Sequence, residues 1–411
     1  MKFFRYFFFF ILVFLFWFWR LQNSQVTLEE GKMVKVEGVL RQEPQILGQS
    51  QVFNLSQVRI RARRYPELHY GDRIEVLGKP RKQVINKYYS RWSINYPEAR
   101  TINSSGGNKI SKWINQLRIK LSYIYQQTLP EPAAALLAGI VLGVKSSLPG
   151  DFYQNLRSAG LIHVVVASGA NVIFVSNIIV GALNQALNRR WALLISLPAI
   201  WVYALLAGGD APVIRAAIMA NFAILAGFFG RQKETMRILI ITAVIMAIFA
   251  PTVIFELGFQ LSFVATAGIL LFKKKIDSCV SRLPGSSFLG DDLATTLSAQ
   301  VLTTPLLLTS FGQLRPLSFV PNALLLWLIP EIMILGFILA ILGLFFLPIA
   351  YFFALVVWVP LQIFILGTKF FSQLSPVLEI IPSSWVIWLY YGIVGAIGKK
   401  WSKLMLIVCF V

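Results

Sequence analysis

Two histidines, His69 and His163, and two cysteines, Cys279 and Cys409, are the whole stock of imidazole and thiol ligands in 411 residues. That is too few for a His-cluster metal site or a Cys-based zinc module. The pair with nucleophile-and-base chemistry is Ser168 with His163. A dyad needs its base within hydrogen-bond reach of the hydroxyl and a third group to orient it. Five positions apart on one helix, these two side chains diverge by about 140°. There is no Walker A motif for an ATP-driven motor. These residues therefore show no nuclease, ATPase or convincing hydrolase machinery, no metal and no cofactor.

What remains is a set of polar residues inside apolar runs. In hydrocarbon each must find a partner or a watery cavity. His163, Ser168 and Asn171 fall within one broad arc if residues 161–171 form a helix, a cavity-lining arrangement for which hydrogen-bonded packing is the bland alternative. Arg215 lies one turn inside the run that begins at Pro212. A charge at the bilayer centre costs ~2.5–3.5 kcal/mol on the lenient scale, so Arg215 is expected to pair with Asp210 or Glu256, or else to snorkel to the interface. Glu256 and Gln260 stack at i,i+4, with Ser262 following, and Gln300, Thr303 and Thr304 share a face just before Pro305. A Thr-rich, Pro-interrupted segment points to a broken helix or re-entrant hairpin, or to an ordinary Pro kink. The candidate cavity-lining residues are thus His163, Ser168, Asn171, Arg215, Gln260, Ser262, Gln300 and Thr303.

The elements that must hold these residues follow from composition. Hydrophobic residues make up 56% of the chain and charged residues 14%, against about 45–50% and roughly 25% in soluble proteins. This is an integral membrane protein. Apolar runs at 161–183, 191–208, 212–230, 237–255 and 257–272 have about the length that crosses a bilayer when tilted. The turns at 184–190, 231–236 and 273–282 are basic, whereas those near 208–212 and 250–256 carry only Asp210 and Glu256. Alternate loops therefore fall on opposite sides, basic ones in the cytoplasm. The run Tyr6 to Trp19, between Lys2, Arg5 and Arg20, reads as an uncleaved signal anchor over 1–22, with a processed signal peptide as the alternative.

The formal charge is +20, and residues 20–131 hold 19 Lys/Arg against 9 Asp/Glu, half of that excess. Within them, residues 30–103 carry short alternating runs at 35–40, 58–63 and 73–77, punctuated by Pro and Gly. The expected fold is a small antiparallel barrel of about five strands, OB-like and exported. Arg59, Arg61 and Arg63, with Arg64, project from one face, and Lys87, Tyr88, Tyr89, Arg91, Trp92 and Tyr96 follow. A basic groove with stacking rings suits single-stranded nucleic acid, and a face against anionic lipid is the other reading. Residues 104–109 form a linker, and Ile110, Trp113, Ile114, Leu117, Leu121 and Ile124 recur at helical spacing in an interfacial amphipathic helix over 110–131. The fold class is a polytopic α-helical membrane protein, with 132–411 as its multi-helix domain and 132–144 dipping into the membrane without crossing it.

Several ordered blocks over about 30–345 resemble the ComEC family of bacterial competence proteins. They are Ala138 to Gly143, Phe152, Arg157 to His163, Val166 to Gly169, Pro212 with Arg215-Ala216-Ala217, Gly258 to Thr266, and Ala299-Gln300 with Pro305 and Phe311-Gly312. The resemblance implies an inner-membrane channel for single-stranded DNA in natural transformation, with its OB-like domain on the extracytoplasmic side. It also implies work alongside a separate nuclease, a DNA receptor and a cytoplasmic ATP-driven motor, with homo-oligomerisation as a further possibility. Asn171 stands where the family commonly carries a second His, and no metallo-β-lactamase-like domain is read in this chain. A small-molecule or ion transporter with a midplane site at Pro305 is the rival expectation.

Overall fold

The computed structural model describes residues 14–398 except 24–27, 41–43, 48, 56–57, 69, 85–89, 104–108, 145–147, 166–167, 231–233, 282–285, 375–377 and 380–383. Lys87, Tyr88, Tyr89, His69, Cys409, most of the 104–109 linker and the first half of the expected anchor lie outside the described residues. The chain divides into two units, residues 1–120 with 145–147, and 121–144 with 148–411.

The first unit opens with helix α1 over 14–23 and continues as β-structure. Strict apolar and polar alternation makes Val58–Arg63 strand β4, with Val58, Ile60 and Ala62 buried and the three arginines outside. Eight strands form two sheets among the described residues. One has the order β1 (Val34–Val39), β5 (Arg73–Gly78), β8 (Glu98–Asn103). The other runs β2 (Gln45–Leu47), β3 (Ser50–Leu55), β4, β7 (Ser90–Asn95), β6 (Arg81–Val84). Leu55, Val58, Ile60, Ile74, Val76 and Ile94 come from both sheets and share one core. The expected all-antiparallel barrel of five strands needs correction, because β4 and β7 pair in parallel. A parallel pair requires a crossover, which the excursion through β5 and β6 supplies.

Helix α2 (Lys109–Thr128) follows; of the stripe read from sequence, Ile114, Leu121 and Ile124 are buried, with Tyr125 beside them, whereas Ile110 and Trp113 are exposed. In the second unit, α3 (Ala133–Leu142) is buried at all ten positions. At ~1.5 Å per residue it is about half as long as a hydrocarbon core is thick. α4 (Gly150–Ala159) and the single turn α5 (Ile162–Val165) precede the longer helices. These are α6 (Gly169–Ala186), α7 (Arg189–Leu206), α8 (Ala211–Phe228), α9 (Thr235–Phe249) and α10 (Leu257–Val280). Then come α11 (Ser286–Phe311), the short α12 (Phe319–Leu325), α13 (Leu328–Phe345), α14 (Leu347–Leu374) and α15 (Ser384–Gly398). Six of them, α6, α7, α8, α10, α13 and α14, are long and apolar enough to cross a membrane.

Two sequence expectations fail here. Residues 161–171 are not one helix, since α5 ends at Val165 and Ser168 is the N-cap of α6. Pro305 does not break its helix, because α11 runs through it from Ser286 to Phe311. The two-residue pairing of β9 (Gln313–Leu314) with β10 (Leu378–Glu379) ties the end of α11 to the segment beyond α14.

Candidate functional site

On the β unit, register determines which cations share a face. Arg59 lies opposite Ser93 and Arg61 opposite Asn95 across the parallel pair. On the other side of β7, Arg81 also lies opposite Ser93, and Gln83 opposite Arg91. Directly opposed residues point to the same side of a sheet. Arg59, Arg61, Arg63, Arg81 and Arg91 therefore form one face with Ser93 and Asn95 between them, and none of these positions is acidic. Burial, with the neighbouring charges of Arg91 and Arg61, pushes the Arg59 guanidinium below its ordinary pKa. Arg61 is held by a 3.0 Å bond from Nε to Ser50 Oγ and lies 5.6 Å from the Tyr96 ring centroid.

Two expected members of this face are placed elsewhere. Arg64 follows the strand, 3.7 Å from the Glu67 carboxylate and over the Tyr65 ring. Trp92 is on the same side of β7 as Ile94 and packs against the core, so its ring fills the interior edge. Arg81 was missed by sequence reading, because nothing local in the sequence announces that β6 flanks β7.

In the helical unit, the polar residues form two groups. The first surrounds the start of α6. Asn171 is 3% exposed; its Nδ2 donates 3.0 Å to the Ile140 carbonyl and its Oδ1 accepts 3.0 Å from Ser168 Oγ. Tyr203 donates its hydroxyl to the Val141 carbonyl at 3.5 Å. The last carbonyls of a helix have no intrahelical donor, so Asn171 and Tyr203 close the buried C-terminus of α3.

Arg215 of α8 lies beside this cap and is 8% exposed. Instead of pairing with Asp210 or Glu256, it donates to Thr266 Oγ1, sits 4.0 Å from Met219 Sδ and lies 5.9 Å from the Phe263 ring centroid. Its Nε is buried without a hydrogen-bond partner. Thr266 passes the contact on by donating 2.9 Å to the Ser262 carbonyl. A Cβ on Gly169 would come within 2.3 Å of Arg215 Nη2, so glycine at the start of α6 is what lets the guanidinium approach that backbone.

The second group joins α4, α11 and the turn before α12. Gln300 Nε2 donates 3.0 Å to Ser318 Oγ. Gly160, at φ +77°, packs so closely on Ser318 that a Cβ would fall 2.7 Å from the serine Cβ. The same Gly160 presents its carbonyl 3.1 Å from Nδ1 of the exposed His163. Structure thus gathers Ser168, Asn171, Arg215 and Ser262 at one place, and His163 and Gln300 at another. Gln260 stands apart, donating to the Ile254 carbonyl, and Thr303 is buried and bonded to the Ala299 carbonyl. Thr266, Ser318 and Tyr203 are partners that sequence reading did not single out. Ser168 and His163 each spend their described bonds on other groups.

Six long apolar helices, with buried polar side chains between them and a small β unit ahead, define a multi-pass membrane protein. The chain belongs to the competence protein family, whose family model matches residues 140–404. It is similar to ComE operon protein 3 of Bacillus subtilis (strain 168), 23% identical over 243 residues, which are 58% of this chain and 30% of that protein. It is also similar to an uncharacterized protein of Aquifex aeolicus (strain VF5), 29% identical over 265 residues, 64% of this chain and 60% of that one. The chain thus spans less than two thirds of either relative's length. No solved structure matches it.

Proposed function

We propose that this chain takes up single-stranded DNA during competence, binding the strand on its β unit and passing it through the helical unit. Family membership makes DNA uptake the relevant process. The observation that carries the strand-binding step is the acid-free face of Arg59, Arg61, Arg63, Arg81 and Arg91, since phosphate neutralisation dominates nucleic-acid affinity. Burial first, and then the charges of Arg91 and Arg61, lower the Arg59 pKa; a polyanion counters the like-charge part, and Tyr96 beside Arg61 offers an exposed ring for stacking.

In the helical unit, the buried guanidinium of Arg215 and the Thr266 and Ser262 groups beside it form the polar lining on one side of the path, and His163 and Gln300 form another. Asn171 holds the cap that positions them. By the positive-inside rule the end of the bundle bearing Arg189 and Arg190 faces the cytoplasm, and the start of α6 faces outward. The bacterial inner membrane is the setting, and a nuclease, a receptor and a motor work alongside the channel. A photocrosslinker at Ser93 or Ser262 tests the reading. During uptake both positions should capture a labelled single strand, and capture at neither position contradicts it. The continuity of α11 at Pro305 favours this reading over a transporter with its site at a broken helix.

A further inference from the structure

A cavity of about 440 Å³ opens between the C-terminal halves of α6 and α8 and the first turn of α7, away from both polar groups described above. Val180, Leu193, Ala223 and Ile224 make its walls, and Asn184 and Arg189 are its polar members; no carboxylate lines it among the described residues. The Arg189 guanidinium is tethered by a 3.0 Å bond from Nη2 to the Gly227 carbonyl. That bond uses one of five N–H donors and fixes the fork at the cavity's edge. Arg190 follows in sequence. Among the described residues after α8, Arg237 is occupied by Glu234 at 2.6 Å.

The same end of the bundle carries large exposed rings. Trp191 is 61% exposed and Phe229 68% exposed, with Phe228 edge-on to Phe229. Aromatic rings gather where hydrocarbon meets headgroups, so the cavity opens at headgroup depth, with an apolar wall toward the hydrocarbon and a fixed cation at the mouth. We propose that this cavity is a binding site for one anionic phospholipid, its phosphodiester held by Arg189 and Asn184 and an acyl chain seated along Leu193, Ala223 and Ile224. Charge complementarity selects the headgroup: a cationic mouth with no carboxylate offers a zwitterionic lipid nothing for its ammonium.

The full chain, purified in detergent and titrated with phosphatidylglycerol or phosphatidylcholine, tests this by intact-complex mass spectrometry. One phosphatidylglycerol should be retained preferentially. Arg189→Gln should weaken it about fivefold, the factor one membrane-facing arginine contributes. Ala223→Trp, which fills the cavity, should remove it, and Ile224→Phe serves the same purpose if the tryptophan variant does not fold. Arg237→Gln should leave retention unchanged. Equal retention of both lipids overturns the proposal, as does full retention in Arg189→Gln together with a cavity-filling variant. Displacement of phosphatidylglycerol by excess inorganic phosphate also overturns it, because the site would then recognise a free anion rather than a lipid.

Discussion

The Tyr390 hydroxyl donates a 2.8 Å hydrogen bond to the Val301 carbonyl, the acceptor that Pro305 deprives of its helical N–H four residues on. Tyr391 donates to the next carbonyl, Leu302, at 3.0 Å. A proline inside a membrane helix is tolerated where neighbours satisfy the freed backbone, and Tyr390 of α15 does so. Tyr390→Phe should therefore cost about 1–3 kcal/mol by leaving a carbonyl unsatisfied. In a Pro305→Ala background, where residue 305 regains its own donor, that cost should shrink toward zero. Denaturation of the four proteins of this double-mutant cycle in detergent measures the coupling; an unchanged cost for Tyr390→Phe in both backgrounds contradicts the assignment.

Asn171 acts through the α3 cap. Asn171→Leu removes the donor to Ile140 and the acceptor of the Ser168 hydroxyl, so a loss of about 1–3 kcal/mol is expected. Asn171→His retains a ring N–H at a comparable reach and should lose less. Melting temperatures of the two variants check the order, and the reverse order refutes the capping role.

Gly169 and Arg215 are coupled by close approach. Gly169→Ala places a Cβ 2.3 Å from Arg215 Nη2, and the guanidinium is hemmed in by Thr266, Met219 and Phe263. Gly169→Ala alone should destabilise by about 1–3 kcal/mol as an overpacking change, and should be close to neutral when combined with Arg215→Met. A second measurement, strand uptake, separates function from folding: Arg215→Met should fold yet conduct poorly.

Single-strand affinity of the full chain should fall steeply with salt. Removing three phosphate contacts in Arg59→Ala/Arg61→Ala/Arg63→Ala should flatten the log–log salt slope by about 2, at ~0.7 per contact. Arg81→Ala should weaken binding as Arg59→Ala does, because both flank Ser93. Trp92→Ala should lower stability more than affinity, since its ring packs on the core. Filter binding across a salt series with a parallel thermal melt reads both quantities.

What could be read along the chain was the local pattern. Alternation in Val58–Arg63 placed the arginines outward, and helical spacing from Ile114 to Ile124 placed the buried face of α2. Long-range pairing carries no local signal, so the parallel register of β4 with β7 and the role of Arg81 emerged only from the fold. Breaks and continuities misled for a related reason. A helix over 161–171 looked unbroken because its residues are apolar, yet Ser168 caps a new helix there. Pro305 looked like a break, yet the distant Tyr390 satisfies the freed carbonyl and α11 continues. The acid expected beside Arg215 proved to be a hydroxyl, a thioether and a ring, none of which composition distinguishes from ordinary packing.

Strand entry into sealed vesicles is the most direct measurement of the account. Proteoliposomes containing the full chain, given an inward driving force and a labelled oligonucleotide outside, should protect single-stranded DNA from added nuclease. Duplex should stay accessible, and the Arg215→Met variant should protect little of the single strand despite normal insertion. Protection of neither form by the wild-type chain under a driving force, or equal protection by wild type and Arg215→Met, would contradict single-strand conduction through this helical unit.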